Sequence, residues 1–212
     1  MKIIDCEQGT EEWFAARLGK LSASRIADVV AKTKSGYAAS RANYAAELVV
    51  ERMTGQRQEK FTSHEMLWGT EKEPEARSAY EFITGLTVTQ VGLVAHPSLD
   101  MACASPDGLS GDDGLVEIKC PNTAKHIETL LNGGIDGRYI KQMHWQMICT
   151  GRKWCDFVSF DPRMPGSMQL HIERVTFDVA LAKELEAEAR TFLGEVSDTV
   201  ERLDAKYRQV AA

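Results

Sequence analysis

Apolar positions recur at helical spacing along several stretches of the 212-residue chain and at every second position along others, so helices and strands interleave from end to end. A short helix capped by Thr10 carries Trp13 and Phe14 and ends at Gly19; a second, capped by Ser22 or Ser24, carries Ile26, Val29 and Val30. Residues 40–54 form an amphipathic helix with Tyr44, Leu48 and Val49 near one face, stopped by Gly55. Before it, Lys32, Lys34, Tyr37 and Arg41 surround a solvated loop that can also line a nucleic-acid path. Thr62-Ser63-His64-Glu65 reads as a capping box opening a helix with Trp68, and Pro74, which lacks a backbone donor, requires that helix to kink or restart. Helices over 123–131 and 138–150 are closed by Gly133-Gly134 and Gly151. In the latter, Ile140, Met143, Met147 and Ile148 are core candidates, while Gln142, Trp145, Gln146 and Cys149 share its other side, Trp145 as core. From about 178 to 209 a long acidic helix carries Leu181, Leu185, Phe192, Val196, Val200 and Leu203 as one stripe.

The strand pattern is equally regular. Residues 86–94 alternate as one strand, 154–160 are nearly continuously apolar, and 168–175 alternate again. Gly111-Asp112-Asp113-Gly114 tolerates positive φ and forms the turn between a strand ending near Ala104 and one running from Leu115 to Lys119. The whole predicts an α/β fold, a central mixed β-sheet of about five strands flanked by helices.

Composition narrows the class. Hydrophobic residues at 43% and charged residues at 26% are globular values, and with no linker-like run the expectation is one domain over 1–212, its core at about 7–175 and a C-terminal helix at about 178–209. No apolar stretch reaches the roughly 18 residues of a membrane span, and the opening Met-Lys-Ile-Ile-Asp-Cys turns polar too soon for a secretory signal, so a cytoplasmic protein with no membrane partner is expected. Cys6, Cys103, Cys120, Cys149 and Cys155 form an odd set without a Cys-x-x-Cys pair, which argues for reduced thiols and against a disulfide framework, a zinc site or an iron-sulfur cluster. A net charge of −6 runs against a uniformly basic nucleic-acid binder. The acid is concentrated late, however: residues 1–60 hold ten Lys/Arg against eight Asp/Glu, and residues 177–212 five against eight.

Chemistry concentrates between Ser105 and Lys119. In the strand Val116-Glu117-Ile118-Lys119, alternation puts Glu117 and Lys119 on one face and Val116 and Ile118 on the core face. Asp107 lies ten residues before Glu117, at hairpin distance, and Cys120-Pro121 ends the strand directly after Lys119. Two carboxylates brought together repel and require a cation, and all-oxygen ligation suits Mg²⁺ or Mn²⁺. Lys119 can then orient or deprotonate an attacking water and offset charge growing on a phosphate. An acid-x-Lys strand alone is more often a solvated surface pair. Glu73 has an alternative as an i,i+4 partner of Arg77, Ser24 as a helix cap, and Arg17 as a cation at a helix end.

The arrangement of Pro106-Asp107 followed by Glu117-Ile118-Lys119 resembles the PD-(D/E)xK nuclease superfamily. Four further segments resemble the phage lambda-type recombination exonucleases: Gln8-Gly9-Thr10-Glu11-Glu12-Trp13 with Arg17 to Ser24, Leu67-Trp68-Gly69-Thr70-Glu71-Lys72-Glu73, and Asp161-Pro162-Arg163-Met164, in family order over about residues 7–175. The resemblance implies Asp107, Glu117 and the Ile118 carbonyl as metal ligands, Glu73 completing the site, and Lys119 as the catalytic lysine. It implies a 5′-phosphate pocket from Arg17, Ser24 and Ser105. Where the family often has Gln-x-Gln, the chain has Gln142-Met143-His144, which puts Gln142 on DNA and leaves that role open for His144. The implied activity is a Mg²⁺-dependent (or Mn²⁺-dependent) 5′-to-3′ exonuclease on linear double-stranded DNA, working as a homotrimeric ring beside a single-strand-annealing recombinase, of phage or prophage origin. An endonuclease of the same fold, or a non-catalytic DNA-binding recombination subunit, are the competing readings.

Overall fold

The apolar run Trp154–Phe160 lies inside a five-stranded sheet, where helices cover both of its faces. The computed structural model describes residues 1–58 and 63–207. In chain order its elements are β1 (Lys2–Ile4), α1 (Glu11–Arg17), β2 (Leu21–Ser22), α2 (Ile26–Val30), β3 (Lys32–Thr33), β4 (Gly36–Tyr37), α3 (Ala39–Thr54), α4 (His64–Thr84) and β5 (Val88–Thr89). There follow β6 (Leu93–Ala95), β7 (Ala102–Ala104), β8 (Gly108–Ser110), β9 (Gly114–Lys119), α5 (Thr123–Asn132), α6 (Gly137–Thr150), β10 (Trp154–Phe160), β11 (Leu170–Thr176) and α7 (Val179–Tyr207). The larger sheet runs β11-β10-β9-β8-β5, mixed because only β9 and β10 are parallel. The predicted mixed sheet of about five strands is therefore present.

A second mixed sheet, β1-β6-β7-β2, was not expected, and it changes two assignments. The stretch 86–94 is not one strand: β5 joins the larger sheet and β6 the smaller. The chain crosses between sheets at Gly92, where an added Cβ would collide with the Cys6 carbonyl; Gln8 and Trp13 hold the crossing by donating to the carbonyls of Val91 (2.8 Å) and Gly92 (3.2 Å). Likewise, the strand ending at Ala104 is β7 of the smaller sheet, and the hairpin partner of β9 is β8. Gly111, at φ 55°, supplies the left-handed residue of the hairpin turn.

Three apolar clusters fix the layers. Ala76 and Tyr80 of α4 pack on Val116, Ile118, Val158 and Phe160 on one face of the larger sheet. Met143 and Met147 of α6 pack on Leu109, Leu115, Cys155 and Phe157 on the other. The third cluster joins α2, α3, α6 and the predicted stripe of α7 to the smaller sheet; Leu185, Phe192 and Val196 are buried in it, and Val200 and Leu203 pack against it. The stripe is packing, and its predicted end at 209 lies outside the described residues.

Other local expectations meet mixed outcomes. Thr10 caps α1 and Ser63 caps α4, each accepting from the backbone N–H three residues on, whereas Thr62 of the expected capping box lies outside the described residues. Neither Ser22 nor Ser24 caps through its side chain: Ser22 precedes a 3₁₀ turn (Ala23–Arg25) and Arg25 precedes α2. α4 does not restart at Pro74 but runs through it as one helix. The predicted loop around Tyr37 is a small β3-β4 hairpin. All five cysteines are free, as expected.

Candidate active site

Register brings the two key carboxylates together. Gly108 pairs with Val116, so Asp107, one residue before β8, stands across from Glu117 on β9. The Asp107 Oδ2 accepts from the Ile118 backbone N–H at 2.6 Å, which locks the loop carboxylate onto the strand. Val116 and Ile118 are on the core face as predicted, and α4 covers it. The opposite face was expected to be open, but α6 lies across it and leaves Glu117 with no exposed surface. A fully buried carboxylate requires donors, and it has three. Gln142 Nε2 donates to Oε1 and Gln146 Nε2 to Oε2, both at 2.6 Å, and the Lys119 ammonium donates to Oε1. Gln142 and Gln146 lie one helical turn apart on α6, so a single helix face grips both carboxylate oxygens.

The charges strain against each other. Burial, with Glu117 and Glu73 nearby, pushes the Asp107 carboxyl well above the usual range despite Lys119 and the Ile118 N–H. Burial also raises Glu73, against the pull of Arg77 and Lys119. Burial alone would lower Lys119, but Glu117 and Asp107 more than reverse it, so the net shift is upward and the side chain is an ammonium. Glu73 is ion-paired with Arg77 one turn along α4, the alternative its spacing offered, while still lying within electrostatic reach of the other three. Among the described residues no three His, Cys, Asp or Glu side chains converge as a ready ligand set. The donor chemistry nevertheless fits a hard divalent cation: two carboxylates facing each other across the hairpin, Asp107 raised by burial and by repulsion from Glu117.

Arg17, Ser24 and Ser105 line the same cleft as Asp107, Glu117, Lys119 and Gln142, a cavity of about 170 Å³. Arg17, at the end of α1, lies over the Trp13 ring at 4.0 Å, and Trp13 donates its indole N–H to Ser105 Oγ at 3.0 Å. No acceptor among the described residues binds the Arg17 guanidinium, which burial lowers below its ordinary pKa. Ser24, freed from capping, is within 3.3 Å of Ser22 Oγ. Gln8 donates to the Pro106 carbonyl at 2.9 Å and so ties the opening segment to the Pro-Asp element.

His144 does not join them. It stands two positions beyond Gln142, about 200° around the helix, and is buried on the far side. Its Nδ1 is 2.8 Å from the Ile140 carbonyl of its own helix and its Nε2 accepts from the Asp178 N–H at 3.1 Å, so one ring nitrogen bonds back along α6 and the other serves the junction with α7. Gln146 is the site residue that sequence reasoning passed over. Its i,i+4 spacing from Gln142 was the available signal, but nothing in the pattern showed α6 lying over Glu117.

Comparison with known proteins bears on the fold and the family. The model of the YqaJ-like viral recombinase domain matches residues 12–153. Two crystal structures of LHK-Exo, an alkaline exonuclease from Laribacter hongkongensis, one in complex with dAMP, share 53% identity and a TM-score of 0.89 over 95% of this chain and 100% of theirs. A phage-related exonuclease from Haemophilus somnus 129PT shares the fold at 12% identity, with a TM-score of 0.68 over 87% of this chain and 96% of its own. No curated protein matches significantly. On the family match over more than half its length, and on the identity to LHK-Exo, the chain belongs to the YqaJ-like viral recombinase family, of the lambda-exonuclease type within the PD-(D/E)xK superfamily.

Proposed function

We propose that the chain is a single nuclease domain that degrades the 5′-ended strand of linear double-stranded DNA, releasing 5′-mononucleotides and leaving a 3′ overhang for phage-type recombination. One observation carries the reading: Arg17, with no acceptor among the described residues, opens into the same cleft as Asp107, Glu117 and Lys119. A cation-seeking carboxylate pair beside an anion-seeking guanidinium suits a strand end whose terminal phosphate sits at Arg17 while the next phosphate reaches the carboxylates. The complex of LHK-Exo with dAMP supports a mononucleotide product.

In this reading Asp107, Glu117 and the Ile118 carbonyl hold Mg²⁺ or Mn²⁺, with Glu73 recruited from its Arg77 pair. The bound cation supplies Lewis-acid polarisation of the phosphoryl oxygen and a more acidic water. Lys119, as an ammonium, orients the attacking water and balances charge growing on the phosphate. Ser24 and Ser105 donate to the terminal phosphate beside Arg17. Gln142, which holds Glu117, also lines the cleft and contacts DNA there. By the family resemblance the working form is a homotrimeric ring acting beside a single-strand-annealing recombinase in the cytoplasm of a bacterial host.

The test is a linear duplex labelled separately at each end, incubated with and without Mg²⁺ and read for polarity and product size, with a closed circle alongside. Label released as mononucleotide from the 5′ end only, with Mg²⁺, and an intact circle are expected. A cleaved circle would turn the reading to an endonuclease. Asp107→Asn and Lys119→Ala should each lower the rate by about 100-fold or more.

A further inference from the structure

The face of α6 that grips Glu117 has a third member. Tyr139 stands one turn before Gln142 and two turns before Gln146, a spacing that puts all three side chains on one stripe of the helix. The two glutamines hold Glu117. Tyr139 meets the other charge of β9: the Lys119 ammonium lies over its ring, 5.1 Å from the centroid. That separation is within the ~6 Å reach of a cation–π attraction. The ring is itself held. It stacks on Phe157 with centroids 5.8 Å apart and planes 25° from parallel, and Phe157 is the register partner of Glu117 between β9 and β10. The Tyr139 hydroxyl makes no hydrogen bond among the described residues, so what the side chain offers Lys119 is the face of its ring.

Lys119 needs such a contact because it borders two spaces. It lines the cleft with Asp107 and Arg17, and it also lines a smaller cavity of about 90 Å³ with Tyr139, Phe157 and Ser159. A lysine carries its charge on a flexible four-carbon stem, so nothing in the backbone decides which way the ammonium points. The carboxylates around the smaller cavity are engaged: Glu128 pairs with Lys125 and Asp136 with Arg138, each at 3.0 Å. On the cleft side Lys119 has the Glu117 carboxylate, which it shares with Gln142 and Gln146. The Tyr139 ring is a contact it does not share, since no other cation among the described residues lies over that ring.

We propose that Tyr139 is a positioning residue for the reaction: the face of its ring fixes the Lys119 ammonium beside Glu117, where it orients the attacking water, and Tyr139 itself touches neither DNA nor the bound ion. The inference rests on the proposed exonuclease reading. The holding force is the negative face of the ring quadrupole, so it depends on the ring's electron density and not on the hydroxyl or on bulk alone. One stripe of α6 then sets both functional side chains of β9, Glu117 through two amides and Lys119 through an aromatic face.

The experiment measures single-turnover digestion of linear duplex with saturating Mg²⁺ over a range of DNA concentrations, for the parent, Tyr139→Leu and Tyr139→Phe. Alongside them runs a series in which position 139 carries phenylalanines of increasing ring fluorination, which drains the ring face of electron density while nearly keeping its shape. Tyr139→Leu should lower the maximal rate by about tenfold and Tyr139→Phe should recover most of that loss, with the half-saturating DNA concentration unmoved throughout. Each added fluorine should slow the reaction further. The fluorinated series decides the matter even if Tyr139→Leu fails to fold, because a packing role would not respond to fluorine. A rate indifferent to fluorination, Tyr139→Phe as slow as Tyr139→Leu, or a raised half-saturating DNA concentration at an intact maximal rate would each overturn the proposal. A parent protein that digests no linear duplex would instead overturn the exonuclease reading beneath it.

Discussion

Gln146 shows how much of the site depends on residues that never need touch DNA. Its amide N–H holds one oxygen of Glu117, and its own carbonyl oxygen is buried without a partner among the described residues. An orphaned buried acceptor costs about 1–3 kcal/mol, so the side chain keeps this geometry against a penalty. Groups that orient a metal-binding carboxylate commonly tune affinity by 10–100-fold, and Gln146→Leu should weaken Mn²⁺ binding by about tenfold in titration calorimetry. An unchanged Mn²⁺ affinity with a lowered thermal midpoint would reduce Gln146 to a packing residue. At this scale the sequence was legible wherever chemistry is written in residue type: Asp107, Glu117, Lys119, Arg17, Ser24 and Ser105 share one cleft. It was illegible where helix phase decides. Gln142 and His144 look alike in a Gln-x-His pair, yet the two-residue step from one to the other turns one toward Glu117 and the other toward Asp178.

Among elements, the β8-β9 hairpin positions everything else, and its tolerance is narrow. A Cβ at Gly108 would overlap the Val88 side chain and come within 3.3 Å of Val116. Gly108→Ala should therefore force β5 away from β8 and cost about 1–3 kcal/mol, seen as a lower urea midpoint with an unchanged slope. A midpoint equal to that of the parent would mean the β5 edge yields freely. Elements with an unmistakable period were readable: β10 was expected at its observed bounds, and α3, α5 and α6 within a residue. Short strands were not. β1, β2, β3 and β4 span three residues or fewer, too few for alternation to register. The split of 86–94 has the same origin, since alternation continues through Gly92 while the chain changes sheets.

For the whole molecule, the acid concentrated in α7 has a structural role that the net charge of −6 does not reveal. Glu188 and Glu195 of α7 receive Lys32 and Arg41 from the preceding half of the chain, and Asp156 receives Arg174 in two hydrogen bonds. Long-range pairing of this kind cannot be read from a local window. No helix among the described residues is long and apolar enough to cross a membrane.

The clamp on Glu117 also bears on handling the protein. Because Gln142, Gln146 and Lys119 already satisfy that carboxylate, the site carries its own internal counterion and is not assembled by the metal. Chelation should then act as a reversible off-switch. With Mg²⁺ at ten times its dissociation constant, stripping it forfeits only about 1.4 kcal/mol, a few degrees of thermal midpoint, against the ~10–16 kcal/mol by which zinc organises a finger. Protein held in excess chelator should melt as one cooperative transition and regain full activity when Mg²⁺ is restored, without a refolding step.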